Sequence, residues 1–272
     1  MGIGDDELWR LLSPNGSRPH LGAEVVEEAI GLLDEGLLRF AERLPDGTWR
    51  HFTEPLKRLL LEYFRLHGAG IGDSMPLKTS WPPGVRVSPS AVVRRGAHVC
   101  EGAVLLPCQV GAGAWIGPDT MLDTFSSVGT GAQIGARVHL AQHAGIGGVL
   151  EPEQEQAVIV EDDCFIGSHC SVTEGVLVRE RAVLGAGVQL TRTIPILDLT
   201  GRTLLEHRGE VPPGAVVVPG SRRRRFPAGE VGIACACIVG WRDERTDARV
   251  ALNRAARRAL AGLQGLEGVG VA

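Results

Sequence analysis

Aromatic residues make up only 4% of this 272-residue chain, with one tyrosine, five tryptophans and six phenylalanines. So few large rings cannot fill a bulky globular core, whereas small and branched side chains suit thin, regularly stacked strands. No apolar run approaches the ~20 residues of a membrane helix, so no membrane partner is expected. Met1 to Arg10 carries acidic residues and no apolar stretch, so a secretory leader is not expected either. Without one, the six cysteines are expected as reduced thiols in a cytoplasmic protein. A net charge of -4 argues against a general nucleic-acid binder. With 44% hydrophobic and 22% charged residues, the balance is that of a soluble globular protein.

The aromatics that are present cluster. Trp9, Phe40, Trp49, Phe52, Tyr63 and Phe64 all fall in the first quarter, which therefore differs in kind from the rest. From Glu24 to Leu44, apolar residues such as Val26, Ile30, Leu33 and Leu37 recur at helical spacing. A second helix is predicted from about Glu54 to Leu66, with Pro55 in the first turn where proline is tolerated. Pro45-Asp46-Gly47 between them signals a turn, and Gly68 to Pro83 reads as a linker.

The middle of the chain is a repeat. Val110, Ile116, Leu122, Val128, Ile134, Leu140 and Ile146 are aliphatics six residues apart, and the series resumes at Val160. A helix of 3.6 residues per turn drifts off a six-residue step. A short strand followed by a tight corner holds it, with the aliphatic inward and glycine or a small residue at the bend. This is the hexapeptide signature of a parallel β-helix. From Ile146 to Val160 the chain takes fourteen residues, two more than two hexapeptides, so a loop is expected around Pro152 to Gln156. The expected division is 1–83 helical, 84–196 β-helix and 197–272 a C-terminal strand and helix extension, the helix over Asp247 to Leu263.

Several side chains stand out chemically. Asp123 follows the inward Leu122 in a small, apolar stretch. A carboxylate on a rigid coil can hold an amine or take its proton, or it can simply cap corner N–H groups. Arg222 to Arg225 is a compact basic run, either a solvated loop or a grip on a phosphorylated ligand. Cys235 and Cys237 share one strand face and, lacking a second pair at zinc spacing, read as buried thiols. His139 and His143 raise the zinc hydratase reading of the γ-type carbonic anhydrases. Ligands there sit about eighteen residues apart, and neither His98 nor His169 keeps that spacing to the pair, so no metal is expected.

Taken together, Thr120-Met121-Leu122-Asp123-Thr124, Gly145-Ile146-Gly147-Gly148-Val149-Leu150-Glu151-Pro152 and Asp163-Cys164-Phe165-Ile166-Gly167 resemble the tetrahydrodipicolinate N-succinyltransferase family. The resemblance implies a left-handed β-helix, a homotrimer with active sites between subunits, and succinyl-CoA as co-substrate in the lysine–diaminopimelate route. It implies that Arg86 grips a substrate carboxylate and that Asp123 meets the substrate amine. The family's catalytic glutamate falls at Ser171, leaving Glu174 as the nearby carboxylate and catalytic candidate and Ser171 as a substrate-binding one. Arg222 and Arg223 are the expected coenzyme A contacts. Two alternatives follow from Ser171: a relative using acetyl-CoA on a similar amino diacid in specialised metabolism, or an inactive scaffold trimer.

Overall fold

The computed structural model describes residues 21–68 and 75–244; the helix expected over Asp247 to Leu263 lies outside them. The solenoid is a left-handed parallel β-helix of two-residue strands arranged in three flat faces. On face I the inward ladder runs Val87, Leu105, Leu122, Leu140, Ile166 and Leu184. Face II stacks Val93, Val110, Val128, Ile146, Val172 and Leu190. Face III stacks Val99, Ile116, Ile134, Val160, Val178 and Val211. These aliphatics form one continuous core, buried throughout except at Val87, which packs half-buried against its end. Each inward residue therefore repeats its contacts one coil on, which is why a narrow choice of side chains suffices.

The interruption after Ile146 differs from the expectation. Val128 to Ile146 spans 18 residues and Ile146 to Val172 spans 26, yet both pairs are in register. The segment from Ile146 to Val160 is therefore one corner carrying eight extra residues, not two hexapeptides and a remainder. Lys57 anchors this insertion, its Nζ 2.7 Å from Glu153. At the other end, Val211 and Val217 join the ladders of faces III and I, so the coil runs past residue 196. Between Leu190 and Val211 the chain makes an excursion containing Ile196–Asp198 and Leu205–His207, paired antiparallel. A long hairpin, Ala215–Phe226 with Gly229–Trp241, closes the described chain.

The helical start packs on face III. Helix α1 spans Ala23–Glu35 and stops well before Leu44. Gly36 ends it in the left-handed region, φ 79°, donating its N–H toward the Leu32 and Leu33 carbonyls. A Cβ at Gly36 would also sit 2.6 Å from the His98 ring, so the stop is fixed twice. Leu37 and its neighbours, helical in spacing, instead lead into strands β1 (Ala41–Arg43) and β2 (Trp49–His51), an antiparallel pair across the Pro45-Asp46-Gly47 turn. Helix α2 covers Thr53–His67. Phe40 lies across Gly113 and Gly131, where any Cβ would approach its ring to 2.4 and 2.8 Å. The buried Glu161 carboxylate accepts from Trp49 Nε1 at 2.8 Å and from the Glu180 N–H at 2.9 Å, tying β2 to the solenoid. In the described part of the expected linker, residues 75–83, Lys78 is buried, with its Nζ 2.6 Å from Asp34.

Candidate active site

The corner between faces I and II carries Asp123, His143 and His169, with His139 on face I and Ser171 on face II beside it. Asp123 leaves face I just after Leu122, and its backbone N–H is held by the Leu140 carbonyl at 2.9 Å. Its Oδ1 accepts the Thr124 N–H at 2.7 Å, so the corner-capping role is real. Its Oδ2 lies 3.9 Å from His139 Nε2, and the side chain keeps 32% exposure. Asp123 therefore has one oxygen committed to the backbone and another turned toward imidazole and solvent. His139 sits on the outer side of face I, in register with Met121 and Phe165, and meets the Phe165 ring edge-on at 5.2 Å.

Arg86 stands on the same face two coils earlier, in register with Val104 and through it Met121. At ~4.8 Å per rung that places it about 10 Å from the Asp123 level. It is half-buried, and no described carboxylate pairs with it. Ser171 opens its strand on face II, in register with Gly145 and Gln189, while Gly145 is in register with Ser127. Ser127, Gly145 and Ser171 form a shelf of small side chains beside the corner. Glu174 belongs to the next corner, between faces II and III, where its Oε2 accepts the Arg192 N–H at 3.2 Å. Within one chain it does not join Asp123.

The basic run is strand, not loop. Arg222 and Arg223 lie consecutively on Ala215–Phe226 and so point to opposite faces, paired with Glu206 at 2.8 Å and Glu230 at 3.0 Å. A cavity of 660 Å³ beside this strand is lined by Thr193, Pro195, Arg208, Arg222, Arg224 and Ile233, among others. Cys235 and Cys237 do share a face, Sγ to Sγ 3.9 Å, and burial, with Cys237 beside it, pushes the Cys235 thiol up to about 11.

The histidine spacing also needs correcting. Because of the eight-residue insertion, His143 and His169 occupy the same corner of adjacent coils although 26 apart in sequence, with ring centroids 4.8 Å apart. Phe125 stacks on the other side of His143 at 5.3 Å. Among the described residues no group of three or more His, Cys, Asp or Glu is placed to hold a metal.

A family model described as the hexapeptide repeat of succinyl-transferase matches residues 157–192. A curated 2,3,4,5-tetrahydropyridine-2,6-dicarboxylate N-succinyltransferase of Nitrobacter winogradskyi is 42% identical over 254 residues, covering 86% of this chain and 89% of its own. The chain belongs to this succinyltransferase family. The same-named proteins of Nitrobacter hamburgensis, 43% identical with 86% and 89% covered, and of Caulobacter vibrioides, 42% with 84% and 88%, extend the relationship. A solved Campylobacter jejuni chain, titled a tetrahydropyridine-2-carboxylate N-succinyltransferase, shares the fold at TM-score 0.53 and 15% identity, covering 80% of this chain and 63% of that one. Membership in the succinyltransferase family accounts for the hexapeptide solenoid, in which the Gly-Ile-Gly-Gly-Val-Leu-Glu-Pro run spans residues 145–152. That run leads into the inserted corner at Glu151 and Pro152.

Proposed function

We propose that this chain transfers a succinyl group from succinyl-CoA to the amine of ring-opened tetrahydrodipicolinate, in the lysine–diaminopimelate route. The observation that carries the reading is the 42% identity over 86% of the chain to enzymes named for this reaction. Arg86, with no carboxylate partner among the described residues, is suited to hold a substrate carboxylate as a bidentate fork. Asp123 is suited to orient the amine through its outward oxygen. The amine nitrogen bonds to the thioester carbonyl carbon and gives its proton to Asp123. The tetrahedral centre then expels the coenzyme A sulfur, which leaves as the thiol once protonated. His139, beside Asp123, is positioned to share that proton.

Ser171 cannot serve as a carboxylate base, so the proton falls to Asp123 rather than to a second acid on the shelf. Glu174 keeps a catalytic part only if a neighbouring subunit brings it to another chain's Asp123. Arg222, with Arg208 and Arg224 in the cation-lined cavity, suits the phosphates of coenzyme A, while Arg223 suits them from the opposite strand face. We further propose a homotrimer with the site between subunits, working in the cytoplasm. Among the described residues no helix is long and apolar enough to cross a membrane. A second reading, acetyl-CoA as donor to a similar amino diacid, is favoured by Ser171 and its small neighbours.

Free-thiol release separates these readings, with 2-aminopimelate as acceptor and succinyl-CoA or acetyl-CoA as donor. Acceptor-dependent release with succinyl-CoA is expected. Release with acetyl-CoA alone would establish the second reading, and release with neither donor would refute both.

A further inference from the structure

The corner that carries Asp123 has a feature the repeat does not require. In three successive coils its left-handed position holds Phe125, His143 and His169, with φ of 59°, 60° and 59°. Non-glycine residues are uncommon there, and bulky ones more so. The three rings stack nearly parallel, 20° between Phe125 and His143 and 19° between His143 and His169. In the next coil the position is Gly187, around which an added Cβ would meet nothing within 4 Å. The stack thus ends in open space beyond His169, while Phe125 at its other end is 64% exposed. Both imidazoles are exposed, and neither makes a hydrogen bond or ion pair with a described residue. Stacking holds the rings face to face and leaves the two histidines exposed.

Position along the edge gives these groups a meaning. Arg86 lies two coils before Asp123, His143 one coil after it and His169 two coils after. At ~4.8 Å per rung, a cation and two imidazole donors stand about 10, 5 and 10 Å along the solenoid axis from the level of one carboxylate. An amine seated at Asp123 would have an anion-binding group on either side.

We propose that His143 and His169 form a carboxylate-binding subsite on the far side of Asp123 from Arg86, which selects a reactant bearing a second carboxylate. The inference rests on the N-acyltransferase reading. The carboxylate belongs either to the acceptor or to the succinyl end of the donor, and the chemistry of recognition is the same.

Steady-state kinetics on the full chain tests this with His143→Gly, His169→Gly and His169→Phe. Glycine suits the left-handed backbone, so thermal melts of the glycine variants should match the parent. With succinyl-CoA and 2-aminopimelate, each variant should raise KM for the carboxylate-bearing reactant by roughly tenfold or more, with kcat nearly unchanged. His169→Phe keeps the stack and removes the N–H, so a normal KM in that variant would overturn the proposal. The KM penalty should vanish with acetyl-CoA if the donor carries the recognised carboxylate, or with 2-aminoheptanoate if the acceptor does. An equal penalty with every substrate would mean a structural role and also overturn it. Calorimetric binding of pimelate against hexanoate provides a readout independent of turnover. If the parent releases no thiol, yet pimelate binding is lost in the variants, the subsite stands and the transferase reading falls. Normal turnover and normal pimelate binding in the variants would leave the transferase reading intact and refute the subsite.

Discussion

At Asp123 the backbone takes one carboxylate oxygen and leaves the other near His139. The capping role and the chemical role, alternatives in the sequence, are compatible because a carboxylate has two oxygens. Asp123→Asn retains an acceptor for the Thr124 N–H but removes the proton acceptor. Turnover should therefore fall by about 10² or more while the melting temperature changes little. A near-normal rate in a thiol-release assay would remove Asp123 from the reaction. Arg86 and Asp123 were legible as residues because their sequence neighbours carry the family pattern. His139 was legible only as half of a zinc pair, since nothing in its spacing shows that it faces Asp123 across one rung.

Among the elements, the corners hold most of what the sequence left hidden. Helical spacing continues past Glu35, but Gly36 turns the chain, because its left-handed backbone and the nearby His98 ring leave no room for a side chain. Gly36→Ala should lower stability by about 1 kcal/mol from backbone strain, and by more if His98 cannot move, measurable as a reduced melting temperature. The docking of α1 and α2 on the solenoid should also depend on pH. Burial alone would raise the Glu27 carboxyl, but Arg95 and His67 beside it together hold it below the ordinary carboxylate value. A carboxyl depressed in the folded state stabilises above its unfolded value, and that contribution fades as pH falls through the folded one. Acid should therefore lower the melting temperature of the parent more than that of Glu27→Gln, and parallel pH dependences would remove Glu27 from the effect. The six-residue step gave the solenoid's phase directly. The inserted corner was misjudged because spacing counts residues, whereas register counts coils.

For the whole molecule, the exposed apolar groups have a consequence. Val231 and Ile233 on the terminal hairpin are 52% and 41% exposed, and Phe226 at its tip is 43% exposed. Large aliphatic and aromatic side chains left exposed on one terminal hairpin suit an association surface. The proposed homotrimer predicts a mass of three chains by light scattering at micromolar concentration. A double Phe226→Asp, Val231→Asp variant, at two positions outside the cavity lining, should shift that mass downward and lose thiol release together. A monomeric parent with full activity would refute an intersubunit site.

The sequence by itself determined the solenoid, because a strict hexapeptide period admits one kind of coil and a core that stacks like on like. It also determined the family, through the local runs that carry the resemblance. Only the tertiary structure decided which residues share a corner. Adjacency there depends on how many residues each coil consumes, and eight extra residues bring His169 onto His143 while leaving the ladder of aliphatics unbroken. It likewise decided that Asp123 and Glu174 stand on different corners and that the arginine run is a strand. Hydrogen-bond register across coils fixes those placements, and register is a property of neighbours in space rather than of neighbours in the chain.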